Sequence, residues 1–254
     1  MWRGSYQGRG SELDLKEARL ATEASSVWAS GRIGRTSGAA LEFRLETKRL
    51  EELTHAAAVL AGVKTELPVW LDGRAVVRGA VSGAVERPEV MAAVEVSDFA
   101  YEGREWDGLA GRVQWSAQRL RLTAGRLSKG RAVIAVNLTA QLNDGGLSDE
   151  SAVEAEFSVR DTEFEDLAAL AGRKDPVVGS VSGLLRVRGT RKEPRAAGWI
   201  EVRRGAAWEE PFDSLRSGVA VDSGQVRLSN FRLSKGKGTV SGSATFHLER
   251  KDFQ

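Results

Sequence analysis

Few side chains in this sequence are placed to do acid–base or nucleophilic chemistry. Two histidines are present, His55 in an alanine-rich segment and His247 in the polar row of an alternating segment. A catalytic site needs several titratable groups that converge, and the sequence pattern places no such group of partners with either histidine. The chain has no cysteine, which excludes thiol nucleophiles, thiolate metal sites and disulfides. We therefore interpret both histidines as solvated side chains and expect no enzyme activity.

Metal and phosphate sites are not indicated either. The acidic groups Glu51-Glu52, Glu163-x-Glu165-Asp166 and Glu209-Glu210 stand among basic residues on predicted helices and turns, where charge normally faces water. The glycines at 236, 238 and 242 precede no helix and lack the Lys-Ser/Thr of a phosphate loop. They predict a turn that leads into a strand, and we expect no metal and no cofactor.

Composition narrows the class of protein. Of 254 residues, 41% are hydrophobic and 28% charged, enough apolar surface for a sizeable folded core. The 37 basic and 35 acidic residues are interspersed and leave a net charge of only +2, which argues against a nucleic-acid partner. No run approaches the roughly 18–20 apolar residues of a membrane helix. The first residues also lack the apolar run of a signal peptide, so we expect any export signal to lie outside this sequence.

The elements that carry these residues are mostly strands. Apolar and polar residues alternate with period two in at least four segments, which places one apolar row and one polar row on opposite faces of each strand. Strands of this kind are expected every 8–14 residues. The apolar rows consist of Leu41, Phe43, Leu45, Ile134, Val136, Leu138, Val153, Phe157, Val159, Val240 and Phe246.

Two windows depart from period two and predict short helices, at 48–61 and 162–171. Their apolar residues are spaced by three and four, and the windows end at Gly62 and Gly172. The second opens on Thr162-x-x-Glu165, a capping-box pattern. The predicted fold class is therefore all-β, with two short helices, in an elongated antiparallel repeat sheet curled into a groove.

A repeat of about 106 residues organises the chain. Leu127-Ser128-Lys129-Gly130 recurs as Leu233-Ser234-Lys235-Gly236, and Pro88 and Pro194 have the same offset. A fixed period of this kind is typical of repeat architectures, in which insertions fall in turns. We expect an internal fragment of a repeat array, with a partial repeat at 1–62, a complete repeat at about 63–172 and a partial repeat at about 173–254.

Several of these features resemble the periplasmic TamB/AsmA-like family. The resemblance lies in the helix 167–172, a Gly-Ser-Val-Ser-Gly segment at 179–183 interpreted as a turn, the strand end at 188–190, Pro194 and the strand 198–202. It implies an inner-membrane-anchored envelope protein whose curled sheet spans the periplasm and moves phospholipid to the outer membrane, with a part in outer-membrane protein assembly. The expected partners are phospholipid acyl chains, flanking repeats and an outer-membrane barrel protein reached through a C-terminal segment. From the resemblance, we expect both that segment and the membrane anchor to lie outside this sequence.

Two hypotheses for the apolar rows remain open. In the first, the eleven row residues named above line a trough in which acyl chains gain about 0.8 kcal/mol per buried methylene. In the second, the chain is a structural or adhesive extracytoplasmic repeat whose apolar faces pack against each other. Both demand the same alternation, so the sequence does not choose between them. Tryptophans out of phase with the rows favour packing on the outer face over contact with lipid.

Overall fold

In the computed structural model, residues 2–9, 12–49, 69–173, 177–207 and 209–247 are described. Antiparallel strands make up nearly all of this part. They are β1 (Trp2–Arg9), β2 (Glu12–Ala21), β3 (Ser25–Gly34), β4 (Gly38–Thr47), β5 (Val69–Ala84), β6 (Arg87–Tyr101), β7 (Arg104–Trp115), β8 (Arg119–Lys129), β9 (Ala132–Gln141), β10 (Ala152–Glu163), β11 (Val177–Thr190), β12 (Pro194–Ala207), β13 (Glu210–Asp222), β14 (Gln225–Lys235) and β15 (Gly238–His247). One helix, α1 (Phe164–Leu170), follows β10.

The chain forms two compact units, and within each unit the strands are hydrogen-bonded in the order of the sequence. Unit 1 comprises Met1–Gly125 and Leu142–Gly146, and unit 2 comprises Arg126–Gln141 and Leu147–Gln254. Unit 1 contains the antiparallel series β1 to β7, and unit 2 contains the antiparallel series β9 to β15. The predicted fold class, an all-β antiparallel repeat sheet, is confirmed.

The offset of 106 residues is visible in the strand bounds. Adding 106 to the bounds of β8 and β9 gives the bounds of β14 and β15. The register is also preserved, since Val94 pairs with Gly111 as Ile200 pairs with Ser217. The boundaries of the three repeats, at residues 62 and 172, stay a prediction.

Backbone irregularities recur at the same offset. Asp98 and Arg204 have φ of 51° and 49°, and Ala124 and Asn230 have φ of 51° and 50°. A non-glycine residue in this left-handed region is uncommon, and its use within a strand marks a bulge that bends the strand locally. Both repeats thus carry left-handed residues at the same positions.

The predicted helix at 162–171 is confirmed as α1, although its start differs from the prediction. The residue at its N-cap is Glu163, without a side-chain capping bond, so the capping box expected from Thr162 is wrong. Thr162 belongs to β10, is fully buried and donates its hydroxyl proton to the Arg160 carbonyl at 3.1 Å. Because the Thr162 hydroxyl bonds to the carbonyl of Arg160 in β10, it does not cap the helix.

The C-terminus of α1 matches the expectation from Gly172. This glycine has φ of 65°, its N–H bonds to the Ala169 carbonyl at 3.0 Å, and the Arg173 N–H bonds to the Ala168 carbonyl at 2.8 Å. These two bonds form a Schellman motif, which needs a residue with positive φ. The other predicted helix, 48–61, falls almost wholly outside the described residues.

Packing around α1 forms the buried core of unit 2. Val181, Val202 and Phe212 are each more than nine-tenths buried, and Phe164 and Leu167 of the helix pack against them. An ion pair holds the helix as well, because Lys129 donates to both carboxylate oxygens of Asp166 at 3.1 Å. The Asp166 side chain is almost fully buried. We name Val181, Val202 and Phe212 the helix-side cluster.

The segment at 179–183 is not a turn, contrary to the sequence interpretation. It lies inside β11 and contributes Val181 to the helix-side cluster. Its two glycines serve close approach rather than reversal: a Cβ on Gly183 would lie 2.6 Å from the Trp199 carbonyl oxygen, and Gly179 has φ of 133° at a register shift. No helix in the described part of the chain is long and apolar enough to cross a membrane.

Candidate functional site

The apolar rows predicted in unit 1 lie on one face of its sheet. Residues directly opposite each other in an antiparallel pair share a face, and Leu41, Phe43 and Leu45 of β4 are opposite Val81, Gly79 and Val77 of β5. The same face continues through neighbouring strands, and we name it the apolar face of unit 1. Its members in β2, β3, β6 and β7 include Leu13, Leu15, Val27, Ala29, Ile33, Val90, Ala92, Val94, Val96, Leu109 and Val113.

Unit 2 has a corresponding apolar face. Val153, Phe157 and Val159 of β10 are opposite Ala140, Val136 and Ile134 of β9. All eight row residues predicted for this unit, including Leu138, Val240 and Phe246, share the face by register. The strands between them add Leu185, Val187, Ala196, Ile200, Leu215, Val219, Val221, Val226, Leu228 and Leu233.

Most row residues are only half-buried. Of the eleven, Ile134 is buried at 9% exposure, Val240 is 59% exposed, and the other nine are intermediate. Within each unit the described strands make their extensive contacts with their neighbours in order, and α1 adds contacts with β10 and β11. No second layer of described elements therefore covers either apolar face, apart from α1 over the helix-side cluster.

The opposite face of unit 2 carries charge in cross-strand pairs. Arg186 and Glu156, directly opposite on β11 and β10, form an ion pair of 2.8 Å, and Arg188 and Glu154 form one of 3.0 Å. These side chains are 45–75% exposed, so each pair contributes little to stability. They keep this side of the sheet wetted, and we name it the polar face of unit 2.

Glu201 is the best-shielded carboxylate on the polar face. It accepts hydrogen bonds from Arg203 Nε at 2.9 Å and Arg203 Nη2 at 3.1 Å, and from Arg216 Nε at 3.0 Å. Hydrogen bonding by Arg203, and then by Arg216, holds the pKa of Glu201 below its ordinary value against the opposing effect of burial. Glu201 is therefore a carboxylate at neutral pH.

We expect replacement of Glu201 by Gln to flatten the acid side of the stability profile. Since the folded pKa lies below the unfolded one, the ion pairs stabilise the fold above the ordinary carboxyl range, and this stabilisation is lost as pH falls through the folded pKa. The difference in Tm between wild type and Glu201→Gln should shrink between about pH 7 and about pH 2. Glu154→Gln, at an exposed pair, is the control with little difference at any pH. A constant gap for Glu201→Gln would contradict this prediction.

The tryptophans and the described histidine are dispersed over the two units. Trp28 and Trp199 lie out of phase with the rows, Trp106 is buried at 2% exposure, and Trp115 shares the apolar face of unit 1. His247 lies on the polar face, with Nε2 at 3.0 Å from Gln225 Nε2. His55 and Trp208 lie outside the described residues.

Comparison with known proteins gives no match: no family model, no curated protein and no solved structure is similar to this chain. Among the described residues no group of three or more His, Asp or Glu side chains is placed to hold a metal ion. The candidate site is therefore defined by the two apolar faces alone.

Sequence reasoning missed more than half of the residues on these faces. Strands β5, β6 and β12 contribute rows such as Val77-x-Gly79-x-Val81, in which glycine and alanine replace larger residues. Phe43 explains one such glycine, since a Cβ on Gly79 would lie 2.8 Å from the Phe43 ring. These rows could have been found from the alternation of polar and apolar residues if glycine and alanine had been counted as apolar.

Proposed function

We propose that this chain is a segment of an envelope protein of the TamB/AsmA-like kind, anchored in the inner membrane and spanning the periplasm, whose apolar faces hold phospholipid acyl chains in transit to the outer membrane. The chain acts as a non-catalytic conduit linked to outer-membrane biogenesis and protein assembly. One observation carries the proposal: in each unit the apolar rows share a face that is half-buried and, apart from α1 over the helix-side cluster, has no opposing layer among the described elements.

The free energy of binding an acyl chain depends on the apolar area that the chain would cover. Monomeric proteins rarely leave large contiguous apolar surfaces bare, and such surfaces mark binding sites for apolar partners. The face is made of Val, Leu, Ile, Phe and Ala side chains, which attract hydrocarbon without regard to direction. Each buried methylene contributes about 0.8 kcal/mol, so one acyl chain along the rows is held without any specific polar contact.

Crosslinking from both faces tests this proposal. A photoreactive residue at Val136 or Phe43, on the apolar faces, is expected to form adducts with radiolabelled phospholipid from vesicles. The same residue at Asn137 or Arg44, one position along on the opposite faces, is the matched control and should give background alone, because successive side chains of a strand point to opposite sides.

Equal labelling at Val136 and Asn137 would show that lipid meets the protein without using the apolar face. Absence of labelling at Val136 and Phe43, in protein that also yields no phospholipid on extraction, would favour the structural repeat with a closed core.

A further inference from the structure

A depression opens on the polar face of unit 2, on the side of the sheet that the proposed conduit does not use. Its volume is about 460 Å³, and Trp199, Glu201, Arg216, Gly218 and Asn230 contribute to its lining. Gly218 is directly opposite Trp199 in the β12–β13 pair, so the position beside the indole carries no side chain. Trp199 is 48% exposed. The Ser229 hydroxyl borders this position, 2.5 Å from where a Cβ of Gly218 would lie. An exposed aromatic side chain thus lies beside a position that carries only this small polar group.

Two guanidinium groups are held in place beside this depression. Arg203 binds Glu201 in a bidentate manner, and Arg216 donates from Nε at 3.0 Å to one carboxylate oxygen, with its Nη2 at an ion-pair distance of 2.9 Å from the same oxygen. Each guanidinium has five N–H donors, so at least three on each remain for another acceptor. Because Glu201 already fixes both side chains, an anion that binds them pays little additional ordering entropy.

The local charge also favours an anion. Arg232 of β14 is directly opposite Arg216 and shares the polar face. It forms no ion pair with another residue that the structure describes. Arg203 and Arg216 bind the carboxylate of Glu201, and the carboxylate of Asp161 also acts electrostatically on Arg203. Three guanidinium groups and two carboxylates leave this part of the polar face with net positive charge.

The fold does not require this set of residues. In the first repeat the β6–β7 pair has the same register as the β12–β13 pair at an offset of 106 residues, yet it lacks most of the set. The positions of Trp199, Arg203, Arg216, Gly218 and Asn230 are occupied there by Ala93, Ser97, Ala110, Arg112 and Ala124. The carboxylate is kept as Glu95, and the position of Arg232 is kept as Arg126. Since the same backbone pairing forms without the counterparts of Trp199, Arg203 and Arg216, their presence in unit 2 points to a ligand.

We propose that the depression binds an acidic saccharide, with a pyranose ring stacked on Trp199 and its carboxylate bound by the outer N–H groups of Arg216. The apolar C–H face of a sugar ring fits an exposed indole, which offers a large flat contact surface. A planar guanidinium binds a carboxylate through two parallel hydrogen bonds. Asn230 supplies amide donors and an acceptor for ring hydroxyls. The proposal is independent of the lipid conduit, because it concerns the opposite face.

Trigalacturonate is the probe and maltotriose its neutral counterpart of equal ring number. In ¹H–¹⁵N spectra of the whole chain, trigalacturonate is expected to shift the indole Nε1–H signal of Trp199 in a saturable manner, and maltotriose to shift it weakly. Arg216→Gln and Trp199→Ala should each weaken binding by about tenfold or more, as expected for loss of a charge-assisted bidentate pair or of a stacking surface. Arg227→Gln, on the same face outside the depression, should bind as wild type does.

Three results would overturn the proposal. Equal shifts with maltotriose would show that the carboxylate of the saccharide does not contribute to binding. Binding of inorganic phosphate at the same residues, with none of trigalacturonate, would identify a plain anion site. Equal weakening by Arg227→Gln and Arg216→Gln would show attraction to charge in general. If Arg216→Gln does not fold, Arg216→Lys replaces it, since lysine keeps the charge and loses the bidentate geometry; wild-type affinity in that variant would count against the proposal.

Discussion

Placing a charge on the apolar face of unit 2 is expected to abolish lipid binding while the sheet stays folded. The variants are Phe157→Asp and Val136→Arg, whose positions are directly opposite each other on β10 and β9. Both side chains are half-buried, so an open face lets water hydrate the new charge and the cost is limited to lost apolar contact, about 1–2 kcal/mol. An acyl chain crossing the same place would instead have to desolvate the charge, which costs several kcal/mol.

The measurements are phospholipid recovered from the purified chain, the circular dichroism of the sheet and envelope function of the parent protein. Ser158→Asp and Asn137→Arg, the neighbouring positions on the polar face, are the matched controls and should keep wild-type lipid content. In a closed core the same charges would be buried without partners and both variants would unfold. Unfolding of both, together with no lipid in the wild type, would end the conduit hypothesis for this segment.

Truncation of Phe212 to alanine should destabilise unit 2 by about 3–5 kcal/mol, the usual cost of removing a buried phenyl ring. Phe212 is 8% exposed and belongs to the helix-side cluster. Its ring also covers Gly205, where a Cβ would lie 2.3 Å from the Phe212 Cζ atom. Because Gly205 has no side chain, it cannot fill the space that loss of the Phe212 ring would leave. Urea denaturation followed by circular dichroism measures the loss.

Phe231→Ala is the control for this prediction. Phe231 lies half-buried on β14 beside Gly242, and it does not belong to the helix-side cluster. Its truncation should cost about half as much or less, because the free energy scales with the area removed from water. Equal losses in the two variants would mean that the helix-side cluster is no more tightly packed than the rest of the apolar face.

The strand pattern and the repeat could be predicted because both follow from local sequence. Alternation of large apolar and polar residues identified β4, β9, β10 and β15, and an exact offset identified the correspondence between β8 and β14. The assignment of Gly179 and Gly183 to a turn failed because glycine also occurs where neighbouring strands approach closely or bulge. Only the cross-strand partners distinguish the two situations.

The charged groups of unit 2 also could not be recognised from local sequence, because they depend on cross-strand partners. Glu201, Arg203 and Arg216 stand in a sequence full of ordinary charge pairs, and nothing local marks them. Their convergence depends on the register of β12 with β13. Comparison of the two repeats would have singled out Arg216 against Ala110 and Trp199 against Ala93. Departures from an internal repeat are thus an available signal when residues with the same backbone differ in chemistry.

Ser217 is a polar residue at an otherwise aliphatic stretch of the apolar face of unit 2, opposite Ile200. It is 5% exposed, and its hydroxyl donates to the backbone carbonyls of Gly218 at 2.8 Å and Ser229 at 3.3 Å. A hydrocarbon chain on this stretch would meet no free donor at which to pause. Such a chain would make apolar contact alone at this strand, with no polar group to hold it there. Choice among headgroups would have to be made elsewhere, where a lipid enters or leaves.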